Sequence, residues 1–144
     1  MKFNRTTEEP FFNKVDIELK RAERYRIFIS MIIFDISFVN TLCDDNQEQV
    51  IENILNLVKK NIRAIDNVSL VENSKLALLF PETTRQGAEI ASKRLSNIIK
   101  ENLEQLNTAK IDQVIPLEMA SYPDAAGAKS IADMLKEYSD NNLN

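Results

Sequence analysis

The chain has 144 residues, 44% of them hydrophobic and 28% charged, enough to bury a sizeable core as one globular domain and crowded for two. With no histidine and a single cysteine, Cys43, it lacks the means for an internal disulfide, a multi-cysteine metal site or the imidazole chemistry of most hydrolases and phosphotransfer enzymes. The net charge of −4 argues against whole-surface attraction to nucleic acid. Neither a signal segment nor an apolar run of membrane-spanning length is present, the longest candidate being the interrupted stretch 27–36, so a soluble, cytoplasmic protein without membrane insertion is expected.

In chain order, Phe12, Val15, Leu19 and Ala22 recur at three- and four-residue spacing and predict a first helix. Within it Lys20, Arg21, Arg24 and Arg26 form a basic cluster interleaved with Glu18 and Glu23, a pattern that fits a solvated face better than an anion site. Residues 27–34 are a nearly continuous apolar run rich in β-branched side chains, which predicts a buried central strand. Val50, Ile51, Ile54, Leu55, Val58 and Ile62 form the stripe of a second helix, with Asp45 or Asn46 available as its cap and Asp66 closing it at a turn. Short strands at 68–71 and 76–80 then turn across Asn73-Ser74, where asparagine tolerates a left-handed backbone. Ala88, Ala91, Leu95, Ile98, Ile99, Leu103 and Leu106 mark a third helix over 84–106, followed by a strand over 114–122 and a last helix over 130–138, with Pro123 and Gly127 punctuating the final connection.

This order is best satisfied by an α+β fold, a ferredoxin-like or nucleotide-cyclase-like sandwich whose central, mainly antiparallel sheet is flanked by helices. A receiver-type doubly wound domain, with Asp35 as phosphoacceptor, is the rival, but the hairpin breaks its strand-helix rhythm. The expected organisation is a tail over 1–11, one domain over 12–139 and a second tail over 140–144.

Several stretches taken together resemble the GGDEF diguanylate cyclase family. Arg63-Ala64-Ile65-Asp66 matches its RxxD element, followed at the right distance by a strand, a hairpin and a second strand ending at Pro81-Glu82-Thr83. Glu18-Leu19-Lys20-Arg21-Ala22-Glu23-Arg24-Tyr25 is similar to the opening helix, residues 32–36 to the strand ending in Asp-x-Asp, and Ala120-Ser121-Tyr122-Pro123-Asp124 to the late strand and its exit. The resemblance covers roughly residues 12–138. Missing are the N-terminal Asp-x-Leu-Thr element, the Ser-x-Gly opening of the late strand, where Pro116-Leu117-Glu118 stands, and the terminal Ala-Lys-x-x-Gly segment.

The resemblance implies a bacterial signalling domain whose relatives join two GTP molecules into cyclic di-GMP with divalent metal held by acidic groups. Asp35 matches the first metal-ligand position, but the Gly-Gly-Asp/Glu-Glu hairpin reads Glu72-Asn73-Ser74-Lys75, and Cys43 stands at the guanine-reading asparagine. Metal, phosphate and base contacts are all replaced, so no catalysis, no bound metal and no cofactor are expected. What survives is the inhibitory-type site: Arg63 and Asp66, with Arg94 on the next helix at the position of a second arginine. Guanidinium and carboxylate groups suit the phosphates and edges of a guanine dinucleotide. The expectation is thus an inactive regulatory domain that binds cyclic di-GMP. The alternatives are an Arg63–Asp66 pair that only closes a turn, residual GTP binding through Asp35 and magnesium, and a protein-interaction or homodimerisation module without nucleotide.

Overall fold

The structure, a computed structural model, describes residues 5–42, 46–107, 114–124 and 126–143. Helix α1 (Arg5–Tyr25) leads into strand β1 (Ile29–Asp35); a single turn, α2 (Val39–Leu42), precedes α3 (Gln47–Lys60). Strands β2 (Asn67–Val71) and β3 (Lys75–Pro81) form a hairpin, and α4 (Arg85–Asn107), β4 (Leu117–Tyr122) and α5 (Ile131–Leu143) complete the order. The strands make one sheet in the order β2-β3-β1-β4, with every neighbouring pair antiparallel. Each crossover, β1-α3-β2 and β3-α4-β4, skips one strand, the split arrangement of ferredoxin-like folds. The expected α+β sandwich is therefore the observed one.

Side-chain alternation along the strands sets the layers. In β1, Ile32 and Phe34 join the core under α3 and α4, while Ile29, Met31 and Ile33 join the core under α1 and α5. In β3, Leu76, Leu78 and Phe80 face the first layer and Ala77 and Leu79 the second. A sheet covered on both faces favours apolar residues on both, which is why these strands read as nearly continuous runs; the buried Ser30 of β1 is satisfied by Ser121 and the Thr83 carbonyl. Each such Ile, Leu, Met or Phe side chain stabilises the fold by roughly 1.5–3 kcal/mol when fully buried.

The α3 stripe is as expected, with Val50, Ile51, Ile54 and Val58 buried and Leu55 and Ile62 partly so. On α4, Ala88, Leu95, Ile99 and Leu103 are buried, but Leu106 is 51% exposed. A 23-residue helix is about 34 Å long, against about 23 Å for a seven-residue strand, so its last turn projects past the sheet.

Boundaries differ where local caps decide them. Helix α1 reaches back to Arg5, into the stretch assigned to a tail from sequence, and carries Pro10 inside it; Phe11 is buried and packs edge-on against Phe12, with ring centres 5.7 Å apart. At its other end Arg26 adopts a left-handed φ of 55° and the Ile27 amide donates to the Ala22 carbonyl at 3.0 Å, a helix stop that delays β1 to Ile29. Helix α3 stops at Lys60 rather than at Asp66. It begins after Asn46, whose side chain makes no cap bond; Asp45 lies outside the described residues. Strand β4 starts at Leu117, three residues later than expected, and α5 extends to Leu143. Among the described residues no helix is long and apolar enough to cross a membrane.

Candidate functional site

Among the described residues, Asp35 and the 72–75 turn lie at one end of the sheet and Arg63 and Asp66 at the other. The register pairs Asp35 with Lys75 at the hairpin end and Ile29 with Pro81 at the other, so the two ends are about 20 Å apart along β3.

At the hairpin end, Glu72, Asn73 and Ser74 lie between the paired residues Val71 and Lys75. Glu72 (φ 53°) and Asn73 (φ 65°) both adopt the left-handed backbone that glycine tolerates best, so the turn keeps a glycine-type conformation with side chains in place of glycines. The Ser74 carbonyl accepts from the Ile36 amide at 2.8 Å. Asp35 accepts from the Ser37 amide through Oδ1 at 2.9 Å, an Asx-type turn that closes the strand. Its cross-strand neighbour Lys75 pairs with Glu72 at 3.2 Å and lies 5.1 Å from the centre of the Tyr138 ring.

Tyr138, on α5, donates from its hydroxyl to Glu118 Oε2 at 2.6 Å, and Lys75 Nζ approaches that hydroxyl at 3.4 Å. Burial, followed by the bond to Glu118, raises the Tyr138 pKa well above its ordinary value. Lys129 reaches both Glu118 and Glu137, and the bond with Glu137 raises the Lys129 pKa despite some burial. A divalent cation needs several hard oxygen ligands. Here Asp35 stands beside an ammonium, and Glu72 and Glu118 are already paired with Lys75, Lys129 and Tyr138; among the described residues no group of three acidic or cysteine side chains could hold a metal. Cys43 lies outside the described residues.

At the far end, the turn after α3 closes on Asp66. The Arg63 amide donates to Asp66 Oδ2 at 2.8 Å, its Nε reaches both carboxylate oxygens at 3.1 and 3.2 Å, and its Nη2 donates to Oδ1 at 2.8 Å. Nη2 also donates to the Pro81 carbonyl at 2.8 Å and to Thr83 Oγ1 at 2.7 Å. The Asp66 side chain is only 3% exposed, whereas that of Arg63 is 50% exposed. The hydrogen bond with Asp66 raises the Arg63 pKa, outweighing partial desolvation. Arg63 thus ties the α3-β2 turn to the β3-α4 junction. Arg94 is exposed on α4 and, among the described residues, makes no hydrogen bond or ion pair with Arg63 or Asp66.

Sequence reasoning missed Tyr138, Glu118 and Thr83 as neighbours of these groups. Their partners are 63, 20 and 20 residues away along the chain, so only the meeting of β3 with α5, of β4 with α5 and of the α3-β2 turn with the β3-α4 junction reveals them. The basic cluster on α1 is a solvated face, with Lys20 paired to Asp16 at 3.0 Å and Arg21 to Glu18 at 3.6 Å.

A four-stranded split sheet with helices on both faces, a hairpin at one end and an Arg-Asp turn at the other make up a nucleotide-cyclase-like fold. No protein-family model matches the chain, and no curated protein matches it. Solved structures do. The active GGEEF domain of a diguanylate cyclase from Vibrio cholerae is 18% identical with a TM-score of 0.64, the match covering 92% of this chain and 85% of that one. A DGC protein from Thermotoga maritima is 14% identical with a TM-score of 0.66, over 92% of this chain and 91% of that one. The GGDEF domain of DgcB from Caulobacter crescentus, solved in complex with c-di-GMP, is 11% identical with a TM-score of 0.64, over 92% and 77%. The chain has the fold of GGDEF diguanylate cyclase domains.

Proposed function

We propose that this chain is a non-catalytic GGDEF-fold domain that regulates by binding rather than by joining GTP. The observation that carries the reading is Lys75: a hairpin ammonium opposite Asp35, held by Glu72 and the Tyr138 ring. Phosphoryl chemistry on a nucleoside triphosphate needs positive charge that can follow the phosphates, supplied by metal on acidic ligands. Here the cation is covalently fixed and already paired, and Ser74 adds no carboxylate. Incubation with GTP and magnesium or manganese, with chromatography of the products, tests this. No cyclic di-GMP is expected; formation of product that disappears in Asp35→Ala would overturn it.

A second reading makes the Arg63 end a cyclic di-GMP receptor. It is favoured by the way Nε and Nη2 are committed to Asp66, Pro81 and Thr83, which leaves Nη1 of a half-exposed, rigidly held guanidinium available for a phosphate or a guanine edge. In this reading the buried Asp66 positions Arg63, and Arg94, exposed on α4, is the second arginine. DgcB, solved with c-di-GMP, has the same fold. Calorimetric titration with cyclic di-GMP, repeated on Arg63→Ala, checks the reading: heat that vanishes in the variant supports a receptor. No heat leaves a protein-interaction or homodimerisation module.

A further inference from the structure

A cavity of about 200 Å³ opens at the hairpin end of the sheet, lined by Ile33, Asp35, Lys75, Leu117, Glu118 and Tyr138, with Pro116 at its edge. That volume holds about seven waters at roughly 30 Å³ each, the size of a small amino acid. A second cleft, near Phe28 and Glu82, is about 10 Å³ and has room for a water at most.

Asp35 and Lys75 are Cα partners across β1 and β3 and both line this cavity. Among the described residues, however, no ion pair or hydrogen bond joins them; Lys75 turns to Glu72 and Tyr138, and Asp35 to the Ser37 amide. Asp35 therefore keeps Oδ2, and Lys75 keeps one of its three ammonium hydrogens. Glu118, by contrast, is engaged by Tyr138 and Lys129. A simple anion here would face Asp35, and a simple cation would face Lys75. A molecule carrying both charges satisfies both groups while its apolar part lies against Ile33, Pro116 and Leu117.

We propose that this cavity binds a small zwitterion, an α-amino acid with a short apolar side chain, its ammonium on Asp35 and its carboxylate on Lys75. The proposal rests on the reading that this corner does not hold a metal-bound nucleotide.

The test is a titration of the full chain with L-valine, L-valinamide and 3-methylbutanoate, followed through backbone amide signals by NMR. A separate titration uses GTP with magnesium. L-valine is expected to shift the signals of Asp35, Lys75 and Leu117 with a dissociation constant below about 10 mM. Removing either charge from the ligand should weaken binding by about tenfold or more, as should Asp35→Asn or Lys75→Met. Lys75→Met keeps an unbranched stem against Tyr138, and unchanged signals elsewhere in the spectrum report that the fold is intact. Equal binding of valine and valinamide, or no shift at these residues, would overturn the proposal alone. Shifts at Asp35 with GTP and magnesium would overturn the reading that this corner does not hold a metal-bound nucleotide, and the proposal with it.

Discussion

The Lys75 ammonium lies 5.1 Å from the centre of the Tyr138 ring, so a residue at the start of β3 fastens the hairpin to α5. The Tyr138 hydroxyl continues the chain of contacts to Glu118 on β4, joining three elements at one corner. Tyr138→Phe keeps the ring and removes the donor to Glu118. It should lower stability by about 1–2 kcal/mol, measured by urea denaturation, because Glu118 loses a charge-assisted bond at a partly buried position.

The same tyrosine gives the domain an alkaline limit. Its pKa is raised by burial and by Glu118, so the folded state holds the phenol proton when the unfolded chain has released it. The contribution is fully present below the ordinary tyrosine value near 10 and is lost as pH rises through that value toward the raised one. Stability measured from pH 8 to about pH 11 should therefore fall more steeply for the native protein than for Tyr138→Phe. Parallel curves would show that Tyr138 ionises as freely in the folded state as in the unfolded one.

At the far end, Arg63→Ala removes a guanidinium that satisfies Asp66, the Pro81 carbonyl and Thr83 together. A 3%-exposed carboxylate is left with much less support, and a loss of about 1–2 kcal/mol is expected, moderated by the half-exposed position of the arginine. Arg63→Lys should recover little of it, since a point charge cannot serve three acceptors in a plane. The shift of the urea midpoint measures both.

The hairpin tip makes a prediction of opposite sign. Glu72 sits at φ 53°, where a residue with a Cβ costs about 1–2 kcal/mol relative to glycine. Glu72→Gly removes that strain, loses a partly exposed pair with Lys75 that contributes about 0–1 kcal/mol, and adds freedom to the unfolded chain. A net gain of about 0.5 kcal/mol is expected from thermal or urea unfolding.

The fold was legible because the sheet is covered on both faces: Ile29 to Phe34, with only the hydrogen-bonded Ser30 as a polar exception, and Leu76 to Phe80 are apolar, and the α3 and α4 stripes had to match them. Less legible were features set by a few local bonds. The one-turn α2 has no periodicity to read, the start of β1 depends on the left-handed Arg26, and Glu72 adopts a conformation that its residue type disfavours. The candidate sites divide in the same way. Arg63 and Asp66 are three residues apart, so their pairing could be read from a turn, whereas Thr83 as a third partner could not. Lys75 was recognisable as a charge reversal, but its partner Tyr138 lies 63 residues away and its meeting with Lys75 follows from how α5 crosses the sheet. Arg94 shows the opposite case, a residue placed by resemblance that is exposed on α4 and makes no bond to Arg63 or Asp66 among the described residues.

The measurement that tests the central claim most directly is a manganese titration followed by paramagnetic broadening of backbone signals, in the presence and absence of GTP. If Ser74 supplies no carboxylate and Lys75 sets an ammonium beside Asp35 in place of a metal site, the signals of Asp35, Ser74 and Lys75 should keep their linewidths in both series. Selective broadening of those three signals, abolished by Asp35→Ala, would mean that the corner still binds a divalent cation and would contradict the account.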